Sequence, residues 1–159
     1  MTSYVAVCGA GMAAARPADL HAAQEVGQRV AEGGGIVVCG GLGGVMEAAC
    51  RGARSRGGLT VGLLPGVDRE DANGWVVLAL PTGLGEARNA LVVRAADAVV
   101  AIGGGWGTLS EIALALKLGI PVLGVSTWEL ARAGSPVAGV RAVDDAATAV
   151  AEALRLAAR

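Results

Sequence analysis

The chain predicts a doubly wound, Rossmann-like α/β fold: a parallel sheet of six to seven strands with helices on both faces. Short β-branched apolar runs alternate with Ala-rich stretches of helical length. The runs are apolar nearly throughout rather than at every second residue, and two of them end in glycine. Unbroken apolar strands joined by helices belong to sheets covered on both sides. A single domain, 1–159, suffices, because domains run to roughly 150 residues and no linker or low-complexity block divides the sequence.

Six runs read as strands: YVAVC (4–8), IVVCG (36–40), LTVGLLP (59–65), WVVLAL (75–80), AVVAIG (98–103) and PVLGV (121–125). Helical segments occupy 17–33, 44–57, 86–96, 108–119 and 145–158. Pro17 suits a first helical turn. Asp144 suits the N-cap of the last helix, to which no chemistry is assigned. The link PGVDREDANG (65–74) is polar, rich in breakers and too short for an ordinary helix. It predicts a bare crossover in the strand order 3-2-1-4-5-6. Ten extended residues reach about 33 Å, enough for about 14 Å across three strand spacings plus about 17 Å along a strand. The switch point, where such sheets bind ligands, would then lie between the first and fourth strands.

Hydrophobic residues make up 53% of the chain and charged residues 17%, against roughly 25% charged in typical soluble domains. That excess of apolar surface predicts a homodimer or homotetramer, with the helix carrying Ala90, Leu91 and Val93 as the contact face. A net charge of −1, with 12 Arg and one Lys scattered along the chain, leaves no basic stripe, so nucleic acid is not an expected partner. Cys8, Cys39 and Cys50 lack C-x-x-C spacing and read as buried reduced thiols. With His21 as the only histidine, no metal site is expected. MTSYVAVCGAG lacks the basic start and long apolar core of a signal peptide, and no apolar run reaches 18 residues. The expected location is therefore the cytoplasm, without a membrane partner.

Three glycine loops follow strands. CGAGMAAA matches G-x-G-x-x-A at Gly9, Gly11 and Ala14, which makes Gly9 and Gly11 ligand candidates. NAD is disfavoured, because a helix beginning at Pro17 does not follow directly on that turn. The second strand also ends in Cys39-Gly40-Gly41, where a dinucleotide site places Asp or Glu. Gly40, Gly41 and Gly43 form the second loop, whose plain reading is a tight strand-to-helix turn. In the third, Gly103, Gly104, Gly105 and Gly107 precede a helix expected to start at Thr108. Backbone amides and a positive helix end would converge there on an anion such as phosphate, a preference of up to about 2 kcal/mol. No lysine stands beside these turns, which excludes a Walker A loop.

Two side chains beyond the third loop carry two readings. T-L-S-E (108–111) is a capping box if Glu111 reaches back to the Thr108 amide. Read chemically, a carboxylate at a helix start stays ionised, so Glu111 would oppose positive charge or act as a base. Upstream, Pro81, Thr82 and two glycines form another turn, making Thr82 a ligand candidate, before a helix bearing Arg88 and Asn89. One helix, one strand and the glycine loop separate Arg88 from Glu111, so both can face one pocket. A solvated helical Arg is the plain alternative, and it is the reading for Arg94. Trp75 reads as strand-edge packing and Trp106 as a candidate ring platform.

GGLGGVMEAA, GEARNALVVRAADAVVAIGGGWGTLSEIALALKLGIPV and the first-strand turn resemble a superfamily once labelled lysine decarboxylases. It includes the LOG cytokinin-activating phosphoribohydrolases and the molybdenum cofactor carrier proteins. The resemblance runs from about residue 4 to 125, and its Gly-Thr-x-x-Glu motif at 103–111 is specific. LOG enzymes cleave the N-glycosidic bond of nucleoside 5′-monophosphates, using a P-G-G-x-G-T-x-x-E loop on phosphate and an upstream Arg-Lys pair. By that resemblance the Gly104–Thr108 backbone would hold phosphate. Arg88 and Glu111 would be the catalytic residues at the ribose and base, Glu111 opposing oxocarbenium-like charge.

Two positions depart from the LOG pattern: Gly103 stands for the motif's proline and Asn89 for the pair's lysine. Losing that lysine removes a charge-assisted contact of about 1.5–3 kcal/mol, which weakens catalysis more readily than binding. ARN with GGGWGTLSE resembles the carrier branch more closely. The resemblance thus implies binding of a phosphorylated nucleotide or a molybdopterin-type cofactor at the carboxyl edge, with no cofactor required for chemistry. A LOG-like phosphoribohydrolase releasing free base and ribose 5-phosphate is the rival, and a nucleotide-sensing subunit the third reading. No lysine suits a pyridoxal Schiff base.

Overall fold

The computed structural model describes residues 2–158. Its strands are β1 (Tyr4–Gly9), β2 (Ile36–Cys39), β3 (Thr60–Leu64), β4 (Leu78–Pro81), β5 (Ala98–Ile102), β6 (Val122–Val125), β7 (Ala131–Arg132), β8 (Ser135–Pro136) and β9 (Val140–Ala142). The helices are α1 (Pro17–Glu32), α2 (Val45–Ser55), α3 (Asn89–Arg94), α4 (Trp106–Leu118) and α5 (Ala146–Ala157). Seven strands form one parallel sheet in the order β4-β3-β2-β1-β5-β6-β9, while β7 and β8 make a separate hairpin.

Successive strand residues point to opposite faces, and here both faces are covered. Val5 and Val7 of β1, with Ala98, Val100 and Ile102 of β5, pack under α1, α2 and α5. Ala6 and Cys8, with Val99 and Ala101, pack under α3 and α4. Neither register leaves a polar face, which is why the strands read as continuous apolar runs. Helices α1 and α2 approach closely, with Gly27 against the Ala49 carbonyl and Gly52 against that of Gln24.

The strand order corrects the expected 3-2-1-4-5-6. β4 pairs with β3 at the sheet edge, Val61 opposite Leu78 and Leu64 opposite Pro81. The link after β3 therefore moves over one strand only, through a 3-10 turn at Arg69–Asp71. Side-chain hydrogen bonds hold it there: the Thr60 hydroxyl donates to the Trp75 carbonyl and accepts the Val77 N–H. Asn73 donates to the Gly41 and Leu42 carbonyls. The long traverse comes after β4, where residues 82–97 pass β3, β2 and β1 to reach β5. The switch point accordingly lies between β1 and β5. Along the carboxyl edge this traverse is tied by Thr82 N–H to the Leu64 carbonyl and Gly85 N–H to that of Pro65. It thereby carries Arg88 over the end of β2.

Other boundaries shift by smaller amounts. The helix expected over 86–96 is a 3-10 turn at Gly85–Arg88 followed by α3. Asp145, rather than Asp144, caps α5, accepting the Thr148 N–H at 2.7 Å. Val93 lies in the core and leaves Leu91 and half-buried Ala90 at the surface of the helix proposed for self-contact. Cys8, Cys39 and Cys50 are buried free thiols. Among the described residues, no helix is long and apolar enough to cross a membrane.

Candidate functional site

Helix α4 buries Thr108, Glu111, Ile112 and Ala115, the spacing of one helical face. Ile112 and Ala115 fill the core. One turn earlier the same stripe emerges at the carboxyl edge of the sheet, so Thr108 and Glu111 meet a cavity of about 260 Å³ instead. The expected capping box does not form. Gly105 is the N-cap and the helix starts at Trp106, two residues early, so Thr108 already sits inside the first turn.

Glu111 is 7% exposed. Burial pushes its carboxyl up to about 7, against the opposing pull of the Cys8 thiol and the Arg88 charge. Burial thus opposes the ionised form that a helix start was expected to favour. Burial also raises the Cys8 thiol, and the neighbouring Glu111 raises it further.

Arg88 is 7% exposed, not solvated, and lines the same cavity with Cys8, Gly9, Asn89, Gly107 and Thr108. Among the described residues it forms no salt bridge. Its Nη1 donates to Asn89 Oδ1 at 2.7 Å, and its buried Nε has no partner among the described residues. Gly40 is required beneath it, because a Cβ there would lie 2.5 Å from both terminal guanidinium nitrogens. Asn89 passes the connection on: its Nδ2 donates to Ser110 Oγ, which donates to the Gly107 carbonyl.

The third glycine loop joins β5 to α4. Gly103 and Gly104 have φ of +52° and +104°, conformations that side chains other than glycine's resist. Gly103 donates its N–H to the Val125 carbonyl and rests against the Asp19 carboxylate, which Arg16 holds below the usual carboxylate range. Proline, with φ fixed near −65° and no N–H, is excluded at this position. Among the described residues, no protein acceptor takes the N–H groups of residues 104–108. Consecutive free amides at a helix start are the arrangement that elsewhere receives anions.

The remaining candidates divide. Gly41 and Gly43 shape the β2–α2 turn, where the Gly41 carbonyl is held by Asn73 and Gly43 faces Met12. Gly11 is exposed with open space around it. Thr82 does not line the cavity, since its hydroxyl donates to the Leu64 carbonyl and accepts the Leu84 N–H. Trp106 is 80% exposed and tilts at 38° against Trp128, ring centres 5.3 Å apart. It borders a second, open groove of about 500 Å³ that shares Glu86, Asn89 and Gly107 with the first cavity. Sequence reasoning missed Cys8 as a neighbour of Glu111, for which its place at the end of the first strand was the available signal. It also missed Thr127 and Trp128 beside the glycine loop, for which there was none.

The profile of the SLOG cluster4 family matches residues 2–152. A molybdenum cofactor binding protein from Rippkaea orientalis superposes with a TM-score of 0.90 at 35% identity, covering 98% of each chain. The molybdenum cofactor carrier protein from Chlamydomonas reinhardtii superposes at 0.88 with 35% identity over 100% of both chains. An uncharacterized protein from Archaeoglobus fulgidus is 47% identical over 97 residues, 61% of this chain and 64% of that protein. The aligned region thus spans just under two thirds of that relative.

Proposed function

Since the chain belongs to the SLOG cluster4 family, we propose that it binds a phosphorylated ligand at the carboxyl edge of the sheet, between β1 and β5. The ligand class is a molybdopterin-type cofactor carried as cargo, or a nucleotide. The observation that carries this reading is Arg88: a buried guanidinium without an ion pair, its Nε unpartnered, in a cavity that Gly107 and Thr108 also line. A buried charge without a counterion is costly unless an anion arrives to meet it. Free amides at the start of α4 supply further donors of the kind a phosphate takes. The similarity to proteins that bind or carry molybdenum cofactor supports the pterin-type ligand.

Calorimetric titration tests this reading, using anoxic molybdenum cofactor released from a molybdoenzyme alongside AMP and adenosine. At least one phosphorylated ligand should bind well above adenosine, and Arg88→Met should abolish that preference. Equal, weak binding of all three would end the proposal.

A second reading is favoured by one observation, the buried Glu111 carboxyl that titrates near neutrality beside Arg88. Such a group suits acid–base work or opposition to developing positive charge. On this reading the chain hydrolyses nucleoside 5′-monophosphates. Water adds at the ribose C1′, the N-glycosidic bond breaks, and the base leaves with a proton while Glu111 faces the cationic ribose. A panel of nucleoside monophosphates, assayed for free base and ribose 5-phosphate, separates the two. Turnover lost in Glu111→Gln establishes the hydrolase, whereas binding without turnover leaves the carrier.

A further inference from the structure

Every second carbonyl of the third glycine loop is tied back by a side chain. Thr127 Oγ1 donates to the Gly103 carbonyl at 2.5 Å, Trp128 Nε1 to that of Gly105 at 3.2 Å, and Ser110 Oγ to that of Gly107 at 2.7 Å. These donors come from two elements, the segment after β6 and the first turns of α4. A carbonyl pulled one way turns the amide of the same peptide unit the other way, because the peptide is planar. Together with the Leu109 N–H, which also meets the Gly105 carbonyl at 3.0 Å, the three ties fix the directions of the amides of residues 104, 106 and 108, none of which has a protein acceptor among the described residues. Ser126, between β6 and these donors, has φ of +47°, a backbone conformation held at a cost.

We infer that Thr127 and Trp128, with Ser110, are positioning residues that preorganise an anion cradle for the phosphate of the ligand. The inference rests on the reading that residues 104–108 hold phosphate, and it adds what keeps them in shape. The Ser110 tie also connects, through Asn89, to the Arg88 guanidinium. Amides and guanidinium are thus set against one frame. An unheld glycine loop would have to be ordered by the ligand at the ligand's expense. Trp128 adds one contact, its tilted packing against Trp106.

The test measures Kd for AMP and for inorganic phosphate with the wild-type chain, Thr127→Val, Thr127→Ser and Trp128→Phe. Valine keeps the shape of threonine without a donor, serine keeps the donor, and phenylalanine keeps a ring against Trp106 without an N–H. Outer hydrogen-bond partners typically change affinity about 10- to 100-fold. Thr127→Val and Trp128→Phe should each weaken both probes by about tenfold or more, while Thr127→Ser stays within about twofold. Binding unchanged in Val and Phe variants overturns the inference. So does loss of AMP without loss of phosphate, which would place the effect at the ring, or a serine variant as weak as the valine one. If Thr127→Val fails to fold, Trp128→Phe still decides. Where the wild-type chain binds only anoxic molybdenum cofactor, the same variants are read on that ligand with the same expected losses; a wild-type chain that binds neither probe nor the cofactor defeats the underlying phosphate reading, and this inference falls with it.

Discussion

Glu111 and Arg88 illustrate how burial, rather than residue type, sets what a charged side chain can do. The folded state holds the Glu111 proton more tightly than an unfolded chain does, with the carboxyl pushed from an ordinary 4.5 up to about 7. Stability carried by the protonated form is present at low pH and lost as pH rises through that interval, a difference on the order of 3 kcal/mol. Glu111→Gln keeps the shape and removes the titration. Urea denaturation should find it close to wild type at about pH 4, below the unfolded value, and more stable at about pH 8. An equal gap at both pH values would refute the linkage. Arg88 predicts the opposite partition of fold and function. Replacing an unpaired buried charge by an apolar side chain of similar length often stabilises. Arg88→Met should therefore raise the urea midpoint while costing about 1.5–3 kcal/mol of phosphoryl-ligand affinity. Both residues could be singled out in the sequence, Glu111 from the Gly-Thr-x-x-Glu spacing after the third glycine loop and Arg88 from the helix that follows the turn of Pro81, Thr82 and two glycines. Their environments could not be. Cys8, Thr127 and Trp128 reach the site through contacts between distant segments that no local pattern records.

At the level of elements, the glycine loop and the traverse after β4 together shape the candidate site. Proline at position 103 would require φ near −65° where the chain has +52°, and would delete the N–H that Val125 accepts. Gly103→Pro should cost about 3 kcal/mol or more in chemical denaturation. A milder result would mean that the loop tolerates the LOG pattern after all. Gly40→Ala should leave the fold nearly intact, because its Cβ meets the far end of a flexible Arg88 side chain. It should nevertheless weaken AMP binding by displacing the guanidinium, which titration of the variant would register. The β1, β2, β3, β5 and β6 strands and the glycine turns could be read from apolar runs and breakers. Strand order could not, because a ten-residue polar link is compatible with moving one strand or several. The Thr60 and Asn73 bonds that decide the matter join residues far apart in sequence. β9, three mostly exposed residues with one apolar partner face, offered no periodic signal.

For the whole molecule, composition implied more apolar surface than one small core hides, and the fold locates it. Leu78 and Leu80 are half-exposed on the edge strand β4, and Trp106, Leu84 and Leu91 are exposed around α3 and the start of α4. Between α3 and α4 runs the open groove bordered by Ala87, Ala90, Trp106 and Leu114. An exposed apolar groove of this kind commonly marks an interface. An edge strand can also self-pair, although a strand of four residues is a weak template. The groove is the stronger candidate, since small alanines let another helix approach while Trp106 and Leu114 supply contact area. Self-association should therefore appear in sedimentation velocity at micromolar concentration. Ala90→Glu, which places a charge in the groove, should yield monomer with an unchanged far-UV spectrum, whereas Leu80→Lys on the edge strand should not. Dissociation by Leu80→Lys alone would move the interface to β4. A monomeric wild-type chain would remove self-association altogether and leave the groove beside Trp106 open to the ligand's ring.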